Sequence, residues 1–450
     1  MVAGIAGWLD CPGGCARIVS RPTARVLLPR QSVIGTSLDI DPEPSGGSRI
    51  HPGAVASPSG SFLEVLLVFL RLGCSCFGGP IAHLGYFRAE FVERRKWLSD
   101  RAYTDLVALA QFLPGPASSQ TGFGIGLIRG GYAGGLAAWI GFTLPSAILM
   151  VLFAYGAGSI ADTAWGAGLL HGLKLVAVAI VAQAVLGMAR SLCPDRERAS
   201  IATVALVIML LTSGSLGQIS TIVLGAVAGL VLCRGATEAV ADSVTVPMSR
   251  TAAAIFLGVF FLLLVLAFLP THNGGAALFD AFYRSGALVF GGGHVVLPLL
   301  RDAVVAPGWM SDNAFLAGYG AAQAVPGPLF TFSAYLGAVA QTGPGGIAGA
   351  AIAVVAIFLP GIMVLMGTLP FWHALRRRPH AQAAMLGTNA AVVGLLGAAL
   401  YNPVWTSAVL TPADFAIAAT GFLLLLVWRV PPIVVVLLSA LAGVGLGMAS

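Results

Sequence analysis

The chain contains the same unusual block of sequence twice. Residues 97–116 run from Trp-Leu-Ser-Asp to Gln-Phe-Leu-Pro-Gly-Pro, and residues 309–328 run from Trp-Met-Ser-Asp to Gln-Ala-Val-Pro-Gly-Pro. Nine of the 20 positions are identical, and a Phe-Gly-Gly precedes each copy, at Phe77 and at Phe290. In an apolar chain, a repeat with helix-breaking residues at matching places is typical of transporters whose site lies where the repeats meet.

Composition places the chain in a membrane. With 57% hydrophobic and 9% charged residues and a mean hydropathy of +0.90, the chain has too few polar residues to cover a water-soluble fold. The apolar runs are continuous rather than alternating, which favours helices over a β-barrel. The sequence therefore predicts an all-α integral membrane protein, a polytopic helical bundle with about 13 spans, within a range of roughly 10 to 14. The predicted spans are 61–82, 102–128, 131–157, 166–190, 199–213, 216–233, 251–269, 276–298, 314–340, 345–370, 382–400, 413–429 and 432–448.

The repeat extends past the motif, because Pro145 matches Pro360 and Gly172 matches Gly387. We expect two homologous halves, 61–235 and 276–450, joined by a linker, 236–275, that holds an unpaired transmembrane helix at 251–269. Six spans in each half, separated by one more, would place the halves in opposite orientations as an inverted repeat.

Residues 1–60 are rich in Pro, Gly, Ser and Arg and lack an apolar stretch that could span a membrane. They are expected to form a flexible N-terminal extension. An alternative is that the true start of translation lies further along the chain.

The Pro-Gly-Pro segments leave the number and direction of the spans open. Each interrupts an apolar run, so 102–128 and 314–340 are each a broken span, two short spans or a re-entrant loop. Arg and Lys residues in the loops do not assign one orientation under a strict 13-span topology.

The same breaks are the first candidates for a binding site. A helix that breaks within the membrane exposes N–H groups and partial positive charge, which can hold an anion. The alternative is an ordinary tight turn at the membrane surface. The candidate residues here are Pro114, Gly115 and Pro116 with Gln111 and Gln120, and Pro326, Gly327 and Pro328 with Gln323.

Consecutive glycines form the second candidate group. Gly78 and Gly79, and Gly291 and Gly292 in the other half, can present backbone N–H groups to an anion. The alternative function of such small residues is close packing of membrane helices.

Charged residues form a third group. Arg94, Arg95 and Trp97 are either an interfacial anchor or an electropositive mouth, and the matching stretch of the second half, 303–308, is neutral. Arg88 and Arg301 align across the repeat and are candidate functional cations.

Four further residues are polar or charged close to or inside apolar segments. His83 could couple protons to transport or could be a hydrogen-bonded interface residue. Lys174 is a cation within a span. Glu64 and Arg71 share a helical face as a polar path or an internal ion pair, or else this first helix lies partly in the membrane interface.

Motifs for other functions are missing from the sequence. The six cysteines show no zinc-ligand spacing, and no Walker A, G-x-S-x-G or H-E-x-x-H motif occurs. We therefore expect no enzymatic activity, no metal and no cofactor, and transport driven by an ion gradient or by the membrane potential.

Several uncommon motifs occur together in the first half. They are FGGPIAH at 77–83, FVERRKWL at 91–98, QFLPGP at 111–116, Gln120, and GFTLP at 141–145. In order and spacing they resemble the chromate ion transporter family, and the two homologous halves are similar to its long-chain members. The second half keeps Phe-Gly-Gly, Trp-x-Ser-Asp and Gln-x-x-Pro-Gly-Pro but loses the basic run.

The resemblance implies export of chromate from the bacterial cytoplasm, with sulfate as a chemically similar competitor. It implies a multi-pass protein of the inner (plasma) membrane, with the lipid bilayer as its surroundings, no nucleic acid partner and a possible homo-oligomeric state. Alternatives are a transporter, channel or importer of sulfate or another oxyanion, or a membrane subunit that does not transport. The resemblance carries a substrate role to Phe77, Gly78, Gly79, Pro80, His83, Arg94, Arg95, Trp97, Gln111, Pro114, Gly115, Pro116 and Gln120.

Overall fold

The computed structural model describes residues 60–160, 163–212, 215–233, 248–269, 274–375 and 378–449. All regular elements in these ranges are helical, so the predicted all-α class is confirmed. The predicted flexible extension, 1–60, lies outside the described residues except for Gly60.

Eight helices precede the second repeat. They are α1 (Phe62–Ser75), α2 (Gly79–Phe87, continued by a π-helical turn Arg88–Arg94), α3 (Asp100–Phe112), α4 (Ala117–Ile160), α5 (Ala164–Leu192), α6 (Arg196–Leu211), α7 (Ser215–Leu232) and α8 (Arg250–Leu266). Helix α4 has two arms, because Gly130 and Gly131 have non-helical backbone angles.

The second repeat follows the same order. Its helices are α9 (Gly274–Ala287), α10 (Val296–Val304, after a 3-10 turn Gly293–Val295), α11 (Asp312–Ala322), α12 (Phe332–Val339, after a 3-10 turn Leu329–Thr331), α13 (Gly346–Thr368), α14 (Trp372–Leu375), α15 (Pro379–Ala399), α16 (Thr406–Ala408), α17 (Pro412–Leu426) and α18 (Pro432–Ala449).

The repeated Ser-Asp of the Trp-x-Ser-Asp motif starts a helix in each half. The Ser99 hydroxyl accepts a hydrogen bond from the Ala102 N–H at 3.2 Å, and the Ser311 hydroxyl accepts one from the Ala314 N–H at 3.2 Å. Both serines are N-caps, and the following Asp places a negative charge in the first helical turn. The motif therefore fixes where α3 and α11 begin.

The repeated breaks fold the chain into four helical hairpins. Hairpin I is α1 with α2, hairpin II is α3 with the first arm of α4, hairpin III is α9 with α10, and hairpin IV is α11 with α12. Their arms contact each other in antiparallel register. The Phe69 and Phe91 rings stack at 4.9 Å across hairpin I, and the Tyr335 hydroxyl donates to the Ala314 carbonyl at 3.0 Å across hairpin IV.

These hairpins change the interpretation of four apolar segments that the sequence predicts as single spans, 61–82, 102–128, 276–298 and 314–340. In each of them the chain reverses direction at the break, so the two arms lie side by side and do not form one continuous helix. Four helical stretches among the described residues are long and apolar enough to cross a membrane: 117–160, which includes the first arm of α4, 164–192, 346–371 and 379–408. The predicted count of about 13 spans is therefore not confirmed.

The two halves exchange their last helices. Helices α6 and α7 of the first half pack on α15 of the second, and α17 and α18 of the second half pack on α5 of the first. Glycines permit this close packing: Gly229 lies against Gly387, and Gly168 lies against Gly443. The halves are thus interlocked within one helical unit.

The second arm of α4 joins the outer ends of hairpins II and IV. At its start Gly134 packs against Gly126, next to the outer end of hairpin II. Toward its other end the Phe153 ring lies 5.4 Å from the Tyr335 ring of hairpin IV. Between the two ends, Ser146 is adjacent to Gly327.

Candidate functional site

The turns of the four hairpins meet in the middle of the molecule. We call them tip I (residues 76–79), tip II (113–116), tip III (289–292) and tip IV (325–328). The Gly115 N–H of tip II donates to the Val289 carbonyl of tip III at 2.8 Å. The Gly327 N–H of tip IV donates to the Cys76 carbonyl of tip I at 2.9 Å. Because these residues correspond across the repeat, the two halves make the same contact reciprocally.

Glycine is required at the centre of each Pro-Gly-Pro tip. Gly115 has φ of 120° and Gly327 has φ of 97°, in the left-handed region. A Cβ on Gly115 would lie 2.9 Å from the Gly361 Cα, and one on Gly327 would lie 2.8 Å from the Ser146 Oγ. Each tip therefore presses against the helix of the opposite half that contains Pro145 or Pro360.

Gln120 holds tip II to the second half. Its amide Nε2 donates to the Pro114 carbonyl within tip II and to the Gly361 carbonyl of α13, both at 2.9 Å. The side chain is completely buried. Gln120 therefore fixes the same junction that the Gly115 backbone approaches.

A histidine joins the two hairpins of each half. The His83 Nδ1 lies 3.4 Å from the Ser118 hydroxyl and connects hairpin I to hairpin II. The His294 Nδ1 lies 2.6 Å from the Tyr319 hydroxyl and connects hairpin III to hairpin IV. The two histidines are not at equivalent sequence positions, but they make equivalent connections.

Several buried polar atoms around the tips have no hydrogen-bond partner in the protein. They are Ser119 Oγ, Gln120 Oε1, Thr143 Oγ1, Gln323 Nε2, Ser333 Oγ and Asn389 Oδ1. Burying a hydroxyl or amide without a partner costs free energy, so unpartnered groups on residues next to the tips indicate a site for a polar ligand.

Helix N-termini point to the sign of that ligand's charge. Helix α2 begins at tip I, α4 begins at tip II, and the 3-10 turns before α10 and α12 begin at tips III and IV. The first N–H groups of a helix have no partner inside it and carry partial positive charge. Four such ends around buried hydroxyls favour an anion.

Arg88 and Arg301, which align in the sequence, have the same place in the structure. The Arg88 Nε donates to Asp100 Oδ1 at 2.8 Å, and the Arg301 Nε donates to Asp312 Oδ1 at 2.8 Å. Each ion pair joins the end of one hairpin to the first residue of the next, far from the tips. Their predicted role as functional cations is therefore not supported by proximity to the tips.

Arg94, Arg95 and Trp97 lie together at the base of hairpins I and II. Arg94 and Arg95 both donate to the Glu90 carboxylate, and the Arg95 guanidinium lies 5.5 Å from the centre of the Trp97 ring. Burial raises the pKa of the Glu90 carboxyl, but the hydrogen bonds from both arginines outweigh this effect and leave the pKa below its usual value. The length of α3, about 20 Å, separates this basic cluster from tip II.

Of the remaining predicted residues, some lie at the tips and others lie away from them. Phe77 and Pro80 flank the glycines of tip I, whereas Gln111 is exposed on the last turn of α3. Of the alternatives for Glu64 and Arg71, an ion pair between them is not observed: Glu64 accepts from Arg129 at 3.2 Å, and Arg71 is exposed. Helix α1 ends at tip I, so Arg129 at the hairpin base is the nearer partner.

Sequence reasoning missed the groups that receive the tips. Cys76 and Val289 contribute backbone carbonyls, for which a sequence carries no side-chain signal. Ser146 and Gly361 follow Pro145 and Pro360, which the repeat does align, so that match was the available signal.

Comparison with known proteins gives one family. The sequence profile described as Chromate transporter matches residues 63–231 and again residues 276–444. A chromate transport protein of Pseudomonas aeruginosa is 28% identical over 410 residues, which cover 89% of this chain and 96% of that protein. A probable chromate transport protein of Synechococcus elongatus is 27% identical over 366 residues, 76% of this chain and 84% of that protein.

A chromate transport protein of Cupriavidus metallidurans is 24% identical over 413 residues, 89% of this chain and 96% of that protein. No solved structure matches the chain.

Proposed function

Because this chain belongs to the chromate transporter family, we propose that it carries chromate across the inner membrane of a bacterium, out of the cytoplasm. The movement is driven by a proton gradient or by the membrane potential, and it lowers the chromate concentration inside the cell, which confers resistance. Sulfate, an oxyanion of the same shape and charge, is the expected competitor.

The convergence of the four hairpin tips is the observation that carries this proposal. Chromate is a small tetrahedral dianion that accepts hydrogen bonds from several directions. The tips offer helix N-termini and buried hydroxyl and amide groups around one point, and this arrangement suits such an anion. The binding site is thus formed by both halves, around Gly78, Gly115, Gly291 and Gly327.

We further propose that the halves, 61–235 and 276–450, are inverted in the membrane. Support comes from the second arm of α4, 132–160, which is long enough to cross. Hairpin II adjoins its start, and hairpin IV adjoins its far end. The two hairpins therefore enter from opposite faces and meet at their tips, as re-entrant loops.

This topology has nine crossing segments. Each half contributes four: the second arm of α4 with α5, α6 and α7, and then α13 with α15, α17 and α18. An even number returns the chain to its starting face. Helix α8, the unpaired element of the predicted linker, is the ninth crossing and inverts the second half relative to the first.

The nine-crossing topology also gives the positive charges a consistent side. Helix ends and loops on the face where hairpins I and II begin contain Arg88, Arg94, Arg95, Lys96, Arg101, Arg129, Arg190, Arg196, Arg198, Arg250, Arg378 and Arg429. On the opposite face, hairpin III has Arg301 at its base. Because cytoplasmic loops are enriched in Arg and Lys, the first face is the cytoplasmic one.

Within this arrangement Arg94 and Arg95 gather anions at the cytoplasmic mouth, through long-range attraction rather than direct binding. The tips then hold the anion, with Gln120 and Gln323 in the buried shell around it. His83, which joins hairpins I and II, is the candidate for proton coupling.

Chromate uptake into inside-out membrane vesicles tests the function. The vesicles come from a chromate-sensitive bacterium without its own exporter, and they contain the wild type, Gly115→Ala or Gly187→Ala. Gly115→Ala moves tip II off Gly361, whereas Gly187 has open space around it and serves as the matched control.

Energy-dependent uptake that sulfate inhibits, that Gly115→Ala abolishes and that Gly187→Ala retains would support export through the tips. Uptake into right-side-out vesicles alone would indicate an importer. Faster flux of sulfate than of chromate would indicate a sulfate transporter, and no flux of either anion with inserted protein would indicate a non-transporting subunit.

A further inference from the structure

Lys174 is a buried cation in the middle of a crossing helix. It is the eleventh residue of α5, about 15 Å from the external start of that 29-residue helix and so inside the hydrocarbon core, in its external half. Its exposed fraction is 9%. A charge at this depth is costly, and such residues mark substrate pathways in membrane proteins.

The ammonium group extends toward the external face. The Lys174 Nζ donates to the Asn313 Oδ1 at 3.1 Å, and Asn313 is the second residue of α11, at the outer end of hairpin IV. The Asp414 carboxylate, which the His171 Nε2 contacts at 2.7 Å, is close enough to attract the ammonium. The long side chain thus extends from its position on α5 to the outer end of hairpin IV, on the external side of the protein.

The repeat shows what else the Lys174 position can reach. Its counterpart in the second half is Asn389, and Asn389 lies beside tip III: its Oδ1 would be 3.5 Å from a Cβ on Gly291. The residue of tip I that corresponds to Gly291 is Gly78. By this symmetry, a side chain at position 174 reaches tip I when hairpin I packs on α5 as hairpin III packs on α15.

The two halves differ in this packing. Among the described residues, α15 packs against α10 and the turn before it, whereas the packing of α5 against α2 is weaker. In the present conformation the Lys174 ammonium therefore contacts Asn313, and the symmetry-related conformation would bring it to tip I.

On the basis of the proposed function, we propose that Lys174 is the positively charged residue that binds the transported dianion. Its ammonium group leaves Asn313, meets the anion at tip I and guides it toward the external face. Helix ends supply only partial charges, so a mobile ammonium supplies the full charge that distinguishes a dianion from a monoanion.

The repeat supports this assignment, because at two related pairs of positions one half has a cation where the other half has an asparagine. Asn313 corresponds to Arg101, just as Lys174 corresponds to Asn389. Each pair of related positions therefore holds one cation and one asparagine. The cation is on α5 at the external side and at the base of hairpin II at the cytoplasmic side, so a positive charge serves each half of the path.

Uptake kinetics in energised inside-out vesicles test the role of Lys174. The variants are Lys174→Gln, Lys174→Arg and, as a charge control, Arg250→Gln at the exposed start of α8. Chromate is the substrate at alkaline pH, where it is the dianion, and sulfate and the tetrahedral monoanion perrhenate are the competing ions.

We expect Lys174→Gln to raise the KM for chromate and the inhibition constant of sulfate by roughly 10- to 100-fold, the value of a charge-assisted hydrogen bond. The inhibition constant of perrhenate should change much less. Lys174→Arg should stay within a few-fold of the wild type, as should Arg250→Gln. Asn313→Ala, which frees the ammonium, should lower the KM for chromate.

Equal losses for sulfate and perrhenate in Lys174→Gln, or chromate kinetics equal to those of the wild type, would overturn the assignment. If Lys174→Gln does not insert, an unchanged or raised KM in Asn313→Ala would overturn it as well. Failure of the proposed function is a separate result, in which the wild type itself transports no chromate.

Discussion

Gln120 fixes tip II in the structure and, in the proposed function, belongs to the shell around the anion. Its amide nitrogen is used fully, by the Pro114 and Gly361 carbonyls, while its carbonyl oxygen is buried without a partner in the protein. A group with two donors and one free acceptor can orient a neighbouring hydroxyl or water toward an anion. Under the proposed function, the side chain would couple the position of tip II to the occupancy of the site.

Gln120→Glu should abolish transport, with a loss of at least about 100-fold. A carboxylate would lose the two donated hydrogen bonds, face two carbonyl oxygens and repel the oxyanion, each of which costs about 1 to 3 kcal/mol. Initial rates of chromate uptake measure the effect. Gln341→Glu, at an exposed position, introduces the same change and should retain the wild-type rate. Equal rates in both variants would exclude a role for Gln120.

Glu90→Gln should strengthen the capture of anions. Glu90 remains ionised because its pKa lies below the usual value, so it screens Arg94 and Arg95 at neutral pH. Removing its charge should lower the KM for chromate by about two- to five-fold at low ionic strength, and the gain should shrink as salt is added. Glu197→Gln, an exposed position at the start of α6, is the control. A KM that does not respond to salt would contradict this prediction.

At the scale of helices, the exchange of partners between halves depends on small residues. Gly229 of α7 and Gly387 of α15 lie in direct backbone contact, so neither has room for a side chain. Because lipid tails are as apolar as the helices, the hydrophobic effect does not drive helices together in a membrane. Close van der Waals packing therefore supplies much of the attraction between α7 and α15. The glycines therefore favour packing of α7 against α15.

Gly387→Leu should displace α7 and lower the stability of the folded protein by about 2 to 4 kcal/mol, through overpacking and lost van der Waals contacts. Thermal unfolding in detergent, followed by tryptophan fluorescence, measures the shift. Gly258→Leu in α8 has open space around it and should leave the unfolding temperature within about 2 °C of the wild type. A similar loss in both variants would contradict a specific role for the α7–α15 contact.

The helical class, the two repeats and the breaks at Pro-Gly-Pro could be predicted, because hydropathy, sequence identity and proline chemistry are local properties. The hairpins could not. An apolar run of 27 residues such as 102–128 has the same hydropathy whether it crosses or turns back, and the direction after the break depends on contacts such as that between Leu106 and Gly124.

The candidate site divides in the same way. Gly115 and Gly327 were predicted because the repeat contains them, whereas their acceptors, the carbonyls of Cys76 and Val289, are visible only in three dimensions.

At the scale of the whole molecule, the distribution of charge and the parity of the crossings give one topology. In the proposed nine-crossing topology, Arg198 at the start of α6 and Arg378 at the start of α15 lie on one face, while the base of hairpin III around Ala306 lies on the other. The topology therefore makes a prediction for every loop.

In a cysteine-free background, a membrane-impermeant thiol reagent should label Ala306→Cys in intact spheroplasts and Ser191→Cys only in inside-out vesicles. Both positions are exposed, so burial does not confound the comparison. The physical reason is that the proposed topology places Ser191, in the last turn of α5, on the cytoplasmic face and Ala306, after hairpin III, on the external face. Labelling of both residues from the same side would rule out the inverted arrangement.

The packing of α7 on α15 also implies a delay during biosynthesis between the completion of α7 and the synthesis of its partner helix. From Leu232, where α7 ends, to Pro379, where α15 begins, the ribosome must add 147 residues. At about 5 to 20 residues per second, this takes roughly 7 to 30 seconds. During that interval the glycine surface of α7 lacks its partner, because α15 has not been made. The packing of a newly synthesised first half is thus incomplete until α15 has been made.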